Sequence, residues 1–197
     1  MYSIDEYHDL AKKYGNFSSW AIWDNKVENN TSIIDGNYKQ LHPNFVFLGL
    51  NISFPLIEND WINFHSGKHD RKLKYACNDN KLRGSYITDI FKGVAEPKSV
   101  EFKKLLTKEI IEENITNFHR EMSDIKINEN TVFVILGTKN SLTAKYFNDY
   151  FKKDLKNKVI YHYHHSYYGM SDKRWVEILW DRVDINQNFE ETLKKYQ

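Results

Sequence analysis

The sequence predicts an α/β fold of three layers, with a central, mostly parallel four-stranded sheet covered by helices on both faces. Three observations predict it. Four apolar, β-rich runs recur at wide intervals: "FVFLGL" at 45–50, "YITDIF" at 86–91, "TVFVILG" at 131–137 and "KVIYHYHH" at 158–165. Two of them are nearly continuous in apolar residues, as expected of strands covered on both faces. Segments of helical periodicity separate the later runs, and strands that alternate with helices assemble as parallel sheets.

Each element has its own justification. Residues 2–14 read as a helix, and "FSSWAIW" (17–23) as an edge strand or an aromatic plug. After the first two strands, "VEFKKLLTKEIIEENITNFHREM" follows Ser99, an N-cap residue type. It sets Phe102, Leu105, Leu106, Ile110, Ile115 and Phe118 on one face of a single helix. "SLTAKYFNDYFKKDL" repeats the pattern with Leu142, Tyr146, Phe147, Tyr150 and Phe151, and its lysines fall near the helix end, where the dipole favours them. "SDKRWVEILWDRV" starts at Ser171 and carries Trp175, Ile178 and Leu179. The length of 197 residues suits one domain, 1–197, with an N-terminal helix and aromatic segment over 1–40 and the core over 41–185. No repeat, low-complexity tract or Pro/Gly linker divides it.

Composition excludes several classes. With 12 Phe, 13 Tyr and 5 Trp the chain has ample material for a core, so disorder is not expected. A formal net charge of +1 excludes a strongly basic packaging protein and an acidic nucleic-acid mimic, and leaves room for a local basic patch. The single cysteine, Cys77, forms no internal disulfide, which fits a reducing compartment. "MYSIDEYHDLAKKYG" lacks an apolar signal segment, and no run approaches the roughly 18 apolar residues of a membrane span. A cytoplasmic monomer without a membrane attachment is the expectation.

In open α/β sheets ligands bind beyond the carboxyl ends of the strands. Gly49, Leu50, Asn51 and Ser53 follow the first strand here, and Thr88 and Asp89 lie within the second. Gly137, Thr138, Lys139 and Asn140 follow the third, and His164, His165, Ser166, Tyr167, Tyr168 and Gly169 close the fourth. The set is polar, aromatic and glycine-rich, which suits a phosphate-bearing ligand.

"GLNIS" after the first strand, "YITDIFK" in the second and "HHSYYG" after the last resemble, in order and position, the motifs of the uracil-DNA glycosylase superfamily. The resemblance spans about residues 40–185. Ile52 stands where that family usually has proline, and His165 where its His-Pro-Ser type loop has the second residue. What the resemblance implies is a metal-free and cofactor-free DNA glycosylase that flips a nucleotide of single- or double-stranded DNA and hydrolyses its N-glycosidic bond. Asn51 would orient the water and His164 would stabilise the leaving base. Asp89 would read the base edge and Phe64 would stack on it, with Leu50 beside them. Gly49, Ser53, Ser166, Tyr167, Tyr168 and Lys139 would meet phosphate and DNA, the two tyrosines as a wedge. The family's uracil readers carry asparagine near position 89. An ionised aspartate only accepts hydrogen bonds, which suits an exocyclic amine or a base with two donors on that edge, whereas a protonated aspartate of strongly raised pKa would imitate the amide; the expected substrate is therefore a flipped uracil or a modified or damaged base.

Two rivals stand beside this reading. A catalytically silent nucleic-acid-binding protein of the same fold accommodates Ile52, His165 and Asp89. A metal-dependent hydrolase would use His162 and His164, which alternate on the fourth strand and so share one face, with His165, or with His65 and His69. The plainer readings are a simple turn at Gly49–Ser53, an Asp89 that caps a helix or pairs with Arg83, core roles for Phe64, Tyr167 and Tyr168, and a solvated face for Lys139 and the lysines at 152, 153, 156 and 158.

Overall fold

The computed structural model describes residues 1–52, 60–65 and 70–196. Five strands form one sheet in the order β1-β3-β2-β4-β5. They are β1 (Ser18–Trp20), β2 (His42–Asn51), β3 (Ser85–Phe91), β4 (Val132–Leu136) and β5 (Lys158–His162). β3, β2, β4 and β5 run parallel, and β1 pairs antiparallel with β3 through Ser19↔Ile87. The expected four strands are therefore all present, and the count is corrected to five. β1 has only three residues, too few to show a period. Its serines are buried and donate outward, Ser18 Oγ to Tyr14 O at 2.7 Å and Ser19 Oγ to Trp61 O at 2.8 Å.

Helices cover both faces. α1 (Ile4–Tyr14) opens with a capping box between Ser3 and Glu6. α2 (Ser32–Asp35) and α3 (Arg71–Ala76) are short. The single helix expected after Ser99 is two, α4 (Ser99–Leu105) and α5 (Lys108–Asp124). Leu106 is extended, at ψ 100°, and the Thr107 hydroxyl accepts from Ile110 N at 3.3 Å, so a new N-cap interrupts the run. Leu105, assigned to the apolar face by the single-helix pattern, is consequently exposed. α6 (Leu142–Tyr146) continues into a π turn over Phe147–Phe151, and α7 (Asp172–Arg182) is capped by Ser171. α8 (Phe189–Leu193) follows.

Alternate residues of each strand feed opposite cores. Val46, Leu48, Tyr86 and Ile90 face α1, α5 and α6, where Phe118, Phe147 and Phe151 close the core. Phe45, Phe47, Ile87 and Val134 face α3 and α7, against Leu73, Trp175 and Leu179. Each such buried side chain contributes on the order of 2 kcal/mol of hydrophobic free energy. β3 is buried along its whole length because it lies between two strands and under both helix layers. Among the described residues no helix is long and apolar enough to cross a membrane.

Candidate functional site at the carboxyl edge of the sheet

β3 is the least forgiving strand for a polar residue, yet it carries Thr88 and Asp89. The alternation of the strand sends them to opposite faces. Thr88 Oγ1 donates to Glu121 Oε1 at 2.9 Å, as Tyr86 OH does at 2.8 Å, and Lys92 pairs with the other oxygen of this buried glutamate. Asp89 turns to the α3/α7 face, in register with Gly49 of β2. A Cβ placed on Gly49 would collide with Asp89 Oδ1 and meet Phe64 Cζ at 3.4 Å. Glycine here makes room for a carboxylate from the neighbouring strand and a ring from a separate segment.

That segment is 60–65. Trp61 anchors it: its N donates to Gly15 O at 2.7 Å, its indole to Tyr7 OH at 2.9 Å, and its carbonyl accepts from Ser19. Trp61 and Phe64 both hold positive φ, +64° and +63°, a conformation that bulky residues adopt only when surroundings impose it. Phe64 is thereby aimed at Gly49, with its edge toward the His165 ring at 5.6 Å between centroids. Between them Asn63 Nδ2 donates to Phe17 O at 2.9 Å and to Asp89 Oδ2 at 3.1 Å. Burial lifts the Asp89 carboxyl to about pH 6, with Glu121 and Asp70 adding to the effect and Asn63 and Lys92 opposing it. Asp89 neither caps a helix nor meets Arg83, whose Nε donates to Gln40.

The fourth group of residues comes from the loop after β5. The strand ends at His162, so His162 and His164 do not share a strand face: the first is buried and the second exposed. His164 Nδ1 accepts from Ser166 N at 3.2 Å and sits 2.7 Å from Ser166 Oγ. An accepting Nδ1 puts the proton of the neutral ring on Nε2, the outer nitrogen. His165 points inward, with Nε2 3.4 Å from Asp70 Oδ1. Lys72 fastens the loop from below, donating to Tyr167 O at 2.5 Å and Met170 O at 3.2 Å, and Trp175 Nε1 donates to Tyr163 O at 3.0 Å. Tyr167 stacks on Tyr163 at 5.4 Å, and Tyr168 is 95% exposed.

The remaining candidates are placed less centrally. Asn51 Nδ2 donates to the carbonyls of Ile52, Val94 and Glu96 at 2.9–3.0 Å, which ties the end of β2 to the segment after β3. Leu50 is half-buried against the α5 core. Lys139 is exposed beyond β4. Ser53 and His69 lie outside the described residues. Thus Gly49, Asp89 and Phe64 are brought together, His165 of the His164–Ser166 loop touches Phe64, and Lys139 stands apart. Asn63, Lys72 and Asp70 were invisible to sequence reasoning, because each earns its place through a tertiary partner.

Among the described residues the histidines do not assemble into a ligand set. His162 is pushed down to about pH 3 by burial and by Arg182, whose Nη1 lies 3.1 Å from its Nδ1. His65 is pushed down to about pH 4 by burial, stacks on Trp23 and meets Trp20 O. Among the described residues no three His, Cys, Asp or Glu side chains are grouped to hold a metal ion. Beside the site opens a cleft of about 580 Å³, whose walls include Trp23, His65, Asp70, Lys74 and Tyr75.

Comparison with family models, with curated proteins and with solved structures finds no match to this chain.

Proposed function

We propose that this edge of the sheet binds a nucleotide turned out of a DNA strand and hydrolyses its N-glycosidic bond, as the resemblance to uracil-DNA glycosylases implies. One observation carries the proposal: Gly49, Asp89 and Phe64, from three separated stretches, meet at the carboxyl ends of β2 and β3, and the His164 loop adjoins them. The chemistry needs few parts. The C–N bond breaks with its electron pair leaving on the base, and the sugar carbon, with oxocarbenium character, takes the oxygen of water, whose surplus proton passes to the base anion directly or through solvent. His164 would stabilise the departing base, its ring oriented by the bond that Nδ1 accepts from Ser166 N. Phe64 offers a ring for the base, and Asp89 an acceptor for its edge. Asn51 would orient water through its carbonyl oxygen, since its amide nitrogen is engaged with backbone.

That engagement favours a second reading. An asparagine that locks β2 to the 94–96 segment serves structure, so a silent nucleic-acid-binding role for the same site is the alternative. Base release separates the two. Oligonucleotides containing uracil, mismatched thymine, hypoxanthine, xanthine or substituted pyrimidines, single- and double-stranded, are incubated with the protein and with Asn51→Ala and His164→Ala. Release of a base, reduced by roughly a hundredfold or more in His164→Ala, supports hydrolysis. Retained DNA binding with no release from any substrate would leave the silent reading in its place.

A further inference from the structure

We infer that the outer edge of β5 and the tyrosines after it hold a single-stranded stretch of DNA, stacking its bases and pairing its phosphates, and favour it over the same sequence as a duplex. DNA as the partner rests on the function proposed above; the strand preference does not. Two observations meet at Tyr163. A cleft of about 420 Å³ opens along β5, with Thr138, Lys139, Tyr161, Tyr163 and Arg182 among its walls. Beyond the cleft, Tyr163 stacks on Tyr167 with centroids 5.4 Å apart and planes at 18°, and Tyr168 lies 6.3 Å from Tyr167, tilted by 32°. Tyr167 is 43% exposed and Tyr168 95%, whereas every other described Phe, Tyr and Trp is buried or half-buried. A chain that hides its rings elsewhere leaves two adjacent ones in water here.

The rings are held and not merely left out. Lys72 donates to the carbonyls of Tyr167 and Met170, and Trp175 Nε1 to that of Tyr163. Gly169 gives the Tyr167 ring its room, since a Cβ there would lie 2.6 Å from its Cζ. A ring fixed beforehand loses little freedom when a base stacks on it. The cations are placed beside it. Lys139 is exposed after β4, and Arg182 is exposed but anchored, donating to Tyr161 O with Nη1 3.1 Å from His162 Nδ1. Among the described residues that line the cleft none is a carboxylate, which favours an anionic backbone over a neutral sugar chain. Arg182 also argues against an added protein strand, because it already takes the Tyr161 carbonyl of the edge strand. Aromatic rings beside cations are what a single strand requires; in a duplex the base faces are already covered.

The test is fluorescence anisotropy with a labelled strand of about twelve thymidines, a length typical of such sites. The same strand annealed to its complement, an abasic strand of equal length and a uridine strand with ribose are compared with it. The expected result is a preference of tenfold or more for the thymidine strand over the duplex and over the abasic strand. Tyr168→Ala should weaken it about tenfold and Tyr168→Phe should not, because the ring and not the hydroxyl stacks. Tyr168 is solvent-exposed, so its removal leaves the core intact. Equal affinity for the duplex, or no effect of Tyr168→Ala, would overturn the inference. Tighter binding of the ribose strand would overturn DNA as the partner. A dimer in sedimentation that Tyr168→Ala dissolves, with no strand bound, would give the rings to a second copy of the chain instead. The thymidine strand holds no damaged or mismatched base, so hydrolysis is judged separately. Base release without the strand preference overturns this inference alone, and the strand preference without release sustains it and removes the hydrolytic reading.

Discussion

Asp89 holds its place at a thermodynamic disadvantage that can be measured. Its pKa rises from 3.8 to about 6 on folding, so between those values the native state binds more protons than the unfolded chain. Stability then falls as pH rises from about 4 through 6 and levels off above, by roughly 3 kcal/mol for a two-unit shift. Asp89→Asn removes the titration while keeping an acceptor for Asn63. The variant is expected to melt higher than wild type at pH 7.5, by roughly 1–3 kcal/mol, with the gap closing near pH 4.5. A wild-type melting curve with no such relative loss above pH 6 would mean that the carboxyl is better solvated than its burial indicates. Carboxyls raised in this way occur at functional sites and in structural networks alike, and the melting curves measure the shift itself. Gly49 is coupled to it directly. Gly49→Ala should destabilise by roughly 1–3 kcal/mol through the clash with Oδ1, and Asp89→Ala in the same chain should recover most of that loss. Additive effects in denaturant melts of the two single variants and the double would show that the two residues do not touch.

At the scale of elements, the site is a loop held by a helix. α3 begins where Asp70, Arg71 and Lys72 reach respectively His165, Asp172 and the carbonyls of Tyr167 and Met170. Three consecutive side chains thus fix the segment between β5 and α7. Lys72→Met keeps the stem volume and removes the donor, leaving two carbonyls unmatched. Amide exchange in residues 163–170 is expected to quicken at least tenfold, with the central strands unchanged. Uniform acceleration across β2 and β4 would instead make Lys72 a global stability residue. This grip also explains what was legible beforehand. The parallel strands were readable because burial on both faces writes a continuous apolar run, and Asp89 stood out as a charge inside one. Gly49 and the His164–Ser166 loop were readable because strand ends are where such folds work. β1 was only one of two options because three residues carry no period. The break between α4 and α5 was hidden because the apolar spacing runs through Leu106 and Thr107, while the Thr107 cap depends on a local competition for one N–H. Asn63 and Lys72 were hidden for a different reason. Neither residue type nor spacing announces a donor whose acceptor lies 26 or 95 residues away.

The whole molecule carries 28 basic and 27 acidic residues, so any hold on DNA must come from the local arrangement and not from net charge. Near the site, Lys72 and Lys92 are already occupied by carbonyls and by Glu121. Asp24, Glu28 and Asp70 line the adjoining cleft together with Arg71 and Lys74, so that surface is mixed in sign. Lys139 and Arg174 are exposed cations on the flanking elements. A footprint of about two or three phosphates follows, and each contributes roughly −0.7 to the slope of log K against log salt for a single strand. Fluorescence anisotropy with an oligonucleotide across a salt series should give a slope of about −2. Lys139→Glu should flatten it by about one contact and weaken all sequences alike, because a phosphate contact positions without reading. A slope of about −5 or steeper would require a continuous basic track. Recognition would then rest mainly on electrostatics, and the site would matter little for affinity. A slope near −2 would instead mean a weak, general hold by a few exposed cations, with any difference in affinity between strands of different base carried by uncharged contacts.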